Sequence, residues 1–585
     1  MRRVDQKENG IDMTRNTARI IGSSMLAMGV LLLCGLPLSA QDSQSPKLTS
    51  SHAQAFGVTA RLDELAKLPQ PPQYGVHEAN PVRLLPKHNF GQNVDPAQRA
   101  AVYPSEFSVI QNFLGVGNGF PGYSVPDAPP DTTMAVGDTQ VLQWVNVSYT
   151  VCSKTGSCGP AILGNTLWRN GIPSTLCANN NDGDILAQFD RKADRWVLMQ
   201  NVFVSPYAVC IAVSTSPDAN GTYNVYQFSV PGSGFPDYPK LGIWSSGGAS
   251  DGYFTSMNNF GPGGSGFRGP QPCGYDRTKL LAGDPTAEQI CFQLSGSEDS
   301  LLPGDVDSPS GPPSAEDEFY IGSVGDVDNS HLSLYSMHIT SWTPAVASIT
   351  GSPNTQLLTV ATYSGSCSGS FGGDCVPQPG TSSEVDSLGD RLMYRFAYWA
   401  DATATSAATS VRSAGFQHWF VNGDVLSNGG QIGVRWYELK ANKTPITAAF
   451  LATLPPYQQQ TYAGTTGDSN YRWMGSLTRD NAGDILLGYS ESSSTVHPAI
   501  GLAGRKSSDT LSTLSDETLF CATCANVIHN NGAQPDTSDR WGDYSSMRID
   551  PVDNCTFWYT TEYYMVLASF DWSTQVVSAK FPGCS

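Results

Sequence analysis

"SLTRDNAGDILLGYS", residues 476–490, lies over "SMRIDPVDNCTFWYT", residues 546–560, at a constant offset of 70. The overlay matches Ser476 with Ser546, Leu477 with Met547, Asp480 with Asp550, Asp484 with Asn554 and Tyr489 with Tyr559. In each copy an apolar segment runs into a short polar turn and back into an aromatic segment, which is the composition and spacing of a β-hairpin. The Asp-x-x-x-Asp/Asn turn returns in "FDRKADRWVLMQ", where Asp190 and Asp194 separate "ILAQF" from "WVLM".

A second element recurs just upstream of such strands. "DYPKLGI" (237–243) and "DYSSMRI" (543–549) share Asp-Tyr-x-x-Leu/Met-x-Ile, while "DTTMAV" (131–136) and "DRLMYRF" (390–396) are shorter variants. Hairpins near 134, 185, 240, 318, 390, 476 and 546 make seven units about 70 residues apart. A small sheet has two apolar faces that it cannot cover alone, and stacking such sheets around an axis buries both and removes long exposed edges. The pattern therefore predicts an all-β fold, a closed β-propeller of seven blades over 126–585. A β-sandwich array fits less well, because the repeat is wide and the Cys, Trp, Cys spacing of immunoglobulin domains is absent. Residues 41–125, Pro- and Gln-rich as in "KLPQPPQYGVHEANPVRLLPK", predict an extended lead-in on the propeller surface.

Arg15 and Arg19 precede the apolar run "MLAMGVLLLCGLPL", and Leu38-Ser39-Ala40 precedes Gln41, so residues 1–40 read as a signal peptide and predict export. A lipoprotein would carry a small residue before Cys34, where Leu33 stands. The other twelve of the 13 cysteines fall into close couples suited to an oxidising compartment: 152 with 158, 177 with 210, 273 with 291, 367 with 375, 521 with 524, and 555 with 584. Cys521 and Cys524 with His529 lack a fourth ligand for zinc. A net charge of -19 argues against binding a nucleic-acid backbone. Charged residues at 15%, with 58 Gly and 39 Pro, describe a turn-rich β protein.

"PPDTTMAVGD", "DGDILAQFDRKADRWVL", "FPDYPKLGIW", "LGDRLMYRFAYW", "YRWMGSLTRDNAGDILLGYS" and "RWGDYSSMRIDPVDNCTFWYTTEYY" together resemble a family of secreted bacterial proteins of soil bacteria. The resemblance covers about 126–585 and implies a sialidase-like β-propeller. It hands over no catalytic residue.

If each repeated Asp precedes the innermost strand of a blade, Asp131, Asp184, Asp237, Asp390 and Asp543 gather at one mouth of the channel. Carboxylates so placed suit a polyol or Ca²⁺, but an Asp entering a strand equally serves as an acceptor for backbone N–H groups. A sialidase-like site needs arginines to clamp a carboxylate and a Tyr nucleophile activated by Glu. Arg391, Arg472 and Arg540 with Tyr544 and Glu562 supply that inventory. In "CTFWYTTEYY" alternation puts Trp558 and Glu562 on one face, and the 70-residue offset pairs them with Gly488 and Ser492, so this blade has gained bulk and charge there. Glu562 beside aromatics suits a general acid, and a structural Glu on the strand explains it as well. Asp543, Tyr544, Arg540 and Glu562 are thus the catalytic candidates, and Arg391, Arg472, Trp558, Asp237 and Asp390 the ligand-binding ones.

Two functions follow: a secreted carbohydrate-active hydrolase working at the channel mouth, or a non-catalytic extracellular propeller that binds a glycan, a protein or a cell surface. The expected partner is a glycan or other extracellular polymer, with no nucleic acid, no membrane span and a monomeric chain. Fold alone does not choose between the two functions.

Overall fold

The computed structural model describes residues 46–585 apart from 70–76, 79–84, 86–93, 324–328, 352–355, 368–373, 390, 402–414, 443–444, 466, 521–539 and 569–570. The signal-peptide segment, Asp390 and the Cys521 to His529 group therefore lie outside the described residues. The chain is all-β, with many antiparallel sheets and a few short helices. Among the described residues no helix is long and apolar enough to cross a membrane.

The hairpins of the sequence repeat are present: Tyr471–Arg479 pairs with Ile485–Ser492, and Ser546–Ile549 with Thr556–Tyr563. Their turns explain the repeated Asp/Asn. Asp194 and Asn554 adopt the left-handed backbone, with φ of 59° and 55°, a region that Asn and Asp enter more readily than other non-glycine residues. Asp194 N–H donates to Asp190 O at 2.7 Å, and Asn554 N–H to Asp550 O at 2.9 Å.

Each group of antiparallel strands begins with a strand that touches its counterpart in the next group. Thr133–Val136 contacts Leu186–Asp190, which contacts Phe235–Trp244, then Leu302–Val306, Leu392–Ala400, Tyr471–Arg479 and Ser546–Ile549. The last of these contacts Thr133–Val136 again. Leu302–Val306 and Leu392–Ala400 also pair in parallel, joining two groups into one ten-stranded sheet. Several first strands carry a register shift, at Asp237/Lys240, Met393/Ala397 and Trp473/Ser476.

Segments from the lead-in add strands to outer edges. Ser108–Leu114 pairs with Ser573–Lys580, Lys47–His52 with Glu288–Gln293, and Ala55–Val58 with Tyr223–Ser229. Main-chain pairing of this kind satisfies edge N–H and C=O groups that would otherwise be open.

Apolar clusters fill the spaces between neighbouring groups. Trp144, Trp168, Trp196 and Leu198 belong to one, and Trp244, Phe319, Tyr398 and Trp419 to another. Ten tryptophans are less than 2% exposed, and each buries roughly 200 Å² of aromatic surface. Five of the six expected disulfides form, 152–158, 177–210, 273–291, 367–375 and 555–584.

Candidate functional site

Of the recurring Asp residues, Asp131, Asp184 and Asp543 lie close enough to act on one another. Asp131 carries an oxygen 2.9 Å from Asp543 N–H, and Asp184 one 3.1 Å from Tyr238 N–H. Asp386, which the sequence reading missed, accepts from Trp541 N–H at 2.9 Å and from Arg540 Nη1 at 2.6 Å, while Arg540 Nη2 binds Asp543 at 2.7 Å. Burial, reinforced by Asp543 and Asp184, pushes the Asp131 carboxyl well above the usual range, and burial takes Asp386 up to about 7.

Lys240 lies in the same cluster, its Nζ 3.2 Å above the Tyr238 ring and 4.3 Å from that of Tyr544. Burial brings its ammonium down to about 7 against the pull of Asp184, Asp543 and Asp131. Arg391 stacks over the other contact of this cage, 4.7 Å from the Tyr238 ring. Lys240 and Arg540 thus set the chain's own cations among the carboxyls, and Asp131, Asp184 and Asp386 each spend an oxygen on a backbone N–H. That ring does not fit the multi-oxygen cage Ca²⁺ requires.

The catalytic inventory also comes apart. Tyr544 is buried and donates its hydroxyl to Ile185 O at 3.0 Å. Glu562 is buried, accepts from Gly542 N–H, and is pushed well above the carboxylate range by burial. Arg472 does not join Arg391 and Arg540. It binds Glu517 at 2.7 and 2.9 Å and Asp468 at 2.9 Å. Trp558 packs with Met134, Val136, Val141 and Val576 and donates to Asp550 at 3.1 Å, so it is an inter-sheet core residue rather than a ligand platform. Asp237 is 7% exposed and opens the register shift of its strand. Tyr238, Tyr544 and Trp541 share one apolar cluster with Val116, Phe120, Val125, Val385 and Leu388.

Further along the first strands, two arginines form a buried plug of ion pairs. Arg395 binds Asp305 at 2.6 Å and Asp307 through two 2.7 Å contacts. Arg548 binds the same Asp305 oxygen at 2.7 Å, Gln188 at 2.6 Å and Tyr394 OH at 2.8 Å. All are buried, and every charge has an opposite partner, the condition under which buried ions are tolerated.

Beyond this plug, at the turn end of the strands, lies a cavity of about 640 Å³. The Asp190–Asp194 turn supplies Arg191, Lys192 and Asp194, and neighbouring groups add Asp138, Ser245, Ser246, Ser308, Pro309, Pro312 and Pro551. Phe189, Arg191 and Val306 line both this funnel and a 20 Å³ void that reaches Arg548. Asp190 itself is structural, held by Arg277 at 2.6 and 3.1 Å and by Tyr253 OH at 2.9 Å. Lys192 Nζ donates to Ser245 O at 2.9 Å. Arg191, Asp194 and Ser246 line the funnel, but Arg191 Nη1, Asp194 Oδ1 and Ser246 Oγ are themselves closed to solvent and have no hydrogen-bond partner among the described residues. Burial, with Asp138 adding to it, raises the Asp194 carboxyl. Nothing in the sequence singled these residues out, because a turn residue shared by repeats reads as fold grammar until several turns are seen to meet.

No family model and no curated protein matches the chain. Three solved structures are similar to it at 8% identity. A protein of unknown function from Dyadobacter fermentans has a TM-score of 0.31 over 83% of this chain and 98% of that one. The WD40 domain of SCAP from fission yeast has a TM-score of 0.29, over 78% and 82%. An exo-β-1,3-galactanase from Clostridium thermocellum has a TM-score of 0.27, over 81% and 97%.

Proposed function

We propose that the chain is an exported, closed β-propeller of seven blades that binds an extracellular glycan in the funnel at the turn end of its channel, without cleaving it. The return contact from Ser546–Ile549 to Thr133–Val136 supports closure, and the seven touching first strands support the blade number. The five disulfides fit an oxidising compartment. The observation that carries the functional reading is the 640 Å³ funnel itself, which Asp138, Arg191, Lys192, Asp194, Ser245 and Ser308 line beside Pro309, Pro312 and Pro551. Sugar hydroxyls, which both donate and accept, match that set, and a few placed polar groups on partly apolar walls are what a ligand cavity requires. Cleavage at the opposite mouth is disfavoured because Tyr544, Asp131, Asp386 and Glu562 are committed to the backbone.

A glycan array run beside a reducing-sugar release assay tests this. Binding without turnover, weakened in Lys192→Ala and unchanged in Glu562→Gln, is expected. Turnover that disappears in Glu562→Gln or Asp543→Asn would restore the hydrolase.

A further inference from the structure

The third strand of the first group, Ser148–Ser153, ends in a short loop, 153–157, that the disulfide Cys152–Cys158 closes at its base. The loop reaches the seventh group twice. Lys154 Nζ, partly buried, spans the two oxygens of Asp550 at 2.7 and 2.8 Å. A side chain added at Gly156 would meet the Phe113 ring at 2.9 Å, so the loop lies against Ser108–Leu114, the strand that pairs with Ser573–Lys580. Asp550 also accepts from Trp558 Nε1 and Val552 N–H, and the next residue, Pro551, lines the funnel and gives its carbonyl to Arg191. A chain of contacts thus runs from the disulfide loop to the funnel wall.

This disulfide lies beside an open cavity. Cys152 is buried, but Cys158 is partly exposed, and both line a space of about 380 Å³ together with Ser153, Ser157, Gly159 and Pro160. Among the other paired cysteines described, only Cys375 is also partly exposed. Access of this kind separates a disulfide open to exchange from an inert one.

We propose that Cys152–Cys158 is a thiol–disulfide exchange site that sets how tightly the funnel holds its ligand, with a dithiol as the reductant. One thiolate of the dithiol attacks Cys158 Sγ and expels the Cys152 thiolate, leaving a mixed disulfide; the second thiolate attacks the dithiol sulfur in that bond and expels the Cys158 thiolate. Two electrons pass to the pair, the dithiol leaves as a disulfide, and the two cysteines take up the two protons it lost. With the base of the loop open, Lys154 loosens its hold on Asp550 and the Pro551 wall of the funnel follows. The effect on the ligand rests on the funnel being the glycan site, whereas the effect on the 550–554 turn does not.

The test compares the oxidised protein, the same protein under rising dithiothreitol, the double variant Cys152→Ser with Cys158→Ser, and Lys154→Met. Alkylation with mass mapping, hydrogen exchange over 550–554 and glycan-array binding are the readouts. Cys152 and Cys158 should be alkylated before the other pairs, exchange over 550–554 should quicken, and glycan binding should weaken about fivefold, the low end of the coupling usual between two sites. The double variant should show the same changes without dithiothreitol, and Lys154→Met should show the faster exchange and weaker binding with every disulfide intact. Lys154→Met carries the comparison if the double variant does not fold. Survival of Cys152–Cys158 while other pairs open, or unchanged exchange over 550–554 once it is open, overturns the exchange site whether or not a glycan binds. Faster exchange with unchanged binding overturns its control of the funnel and leaves the glycan-binding reading in place. Failure of every glycan to bind the oxidised protein overturns that reading and the control together.

Discussion

Arg395→Met isolates a buried tie between neighbouring first strands. Arg395 is 1% exposed and makes three charge-assisted contacts of 2.6–2.7 Å, one to Asp305 and two to Asp307, plus a 3.1 Å bond to Met547 O. Methionine matches much of its volume but removes every donor. Asp305 would keep Arg548 at 2.7 Å, whereas Asp307 would keep only the Thr478 hydroxyl. The variant therefore strands one buried carboxylate, which costs about 3–5 kcal/mol. The folded unit has 540 residues, so at about 2.1 cal/mol/K per residue its unfolding entropy is about 1.1 kcal/mol/K. The loss should appear in calorimetry as a fall in Tm of about 3–4 °C. Arg395→Met with Asp307→Leu removes the stranded charge and should recover part of that fall. A shift below about 1 °C for the single variant, or additive losses in the double one, would refute the reasoning.

Replacing Cys177 and Cys210 by serine opens a loop with a sequence separation of 33, and chain entropy puts the cost at about 3.7 kcal/mol, measurable by denaturant unfolding; no change would mean that the unfolded chain gains nothing from the cut. Burial raises the Asp424 carboxyl to about 8, with only Met474 N–H at 2.9 Å to support its charge. The folded state then holds a proton that the unfolded state releases near pH 4, so this group's contribution is full below that pH and is lost as pH rises through 8. Asp424→Asn should flatten the decline between pH 4 and 8 by at least about 1.4 kcal/mol, one tenfold step in the folding equilibrium; an unchanged profile would place the proton elsewhere. Glu562→Gln should leave both glycan binding and stability within about 1 kcal/mol of wild type, since burial pushes the Glu562 carboxyl up and so favours the neutral form that Gln resembles.

How much of this was legible in the sequence depended on which physical rule each residue obeys. The hairpins at 476–490 and 546–560 follow local turn chemistry, which repeats with the sequence, so their strands fall where the overlay put them. The Asp ring was legible as a place but not as a function. Asp131 and Asp184 each accept an N–H from the next group of strands, a need that repeated units share. Arg395 and Arg548 sit in the quoted segments "DRLMYRF" and "DYSSMRI" yet drew no notice, since strict alternation does not say which side faces the axis once a register shift such as Met393/Ala397 intervenes. Arg472 and Trp558 looked functional by type, but their roles were fixed by Glu517 and Met134, partners distant in the chain. The funnel was invisible for a related reason. Asp138, Arg191, Ser246 and Pro551 come from four turns, and only tertiary packing brings four turns to one cavity.

A crystal structure of the protein with a bound oligosaccharide tests the central claim most directly. A sugar in the 640 Å³ funnel, with oxygens within hydrogen-bond distance of the polar side chains that line it, is the predicted result. A sugar seated instead among Asp131, Asp386, Arg540 and Tyr544, with the funnel empty, would contradict it.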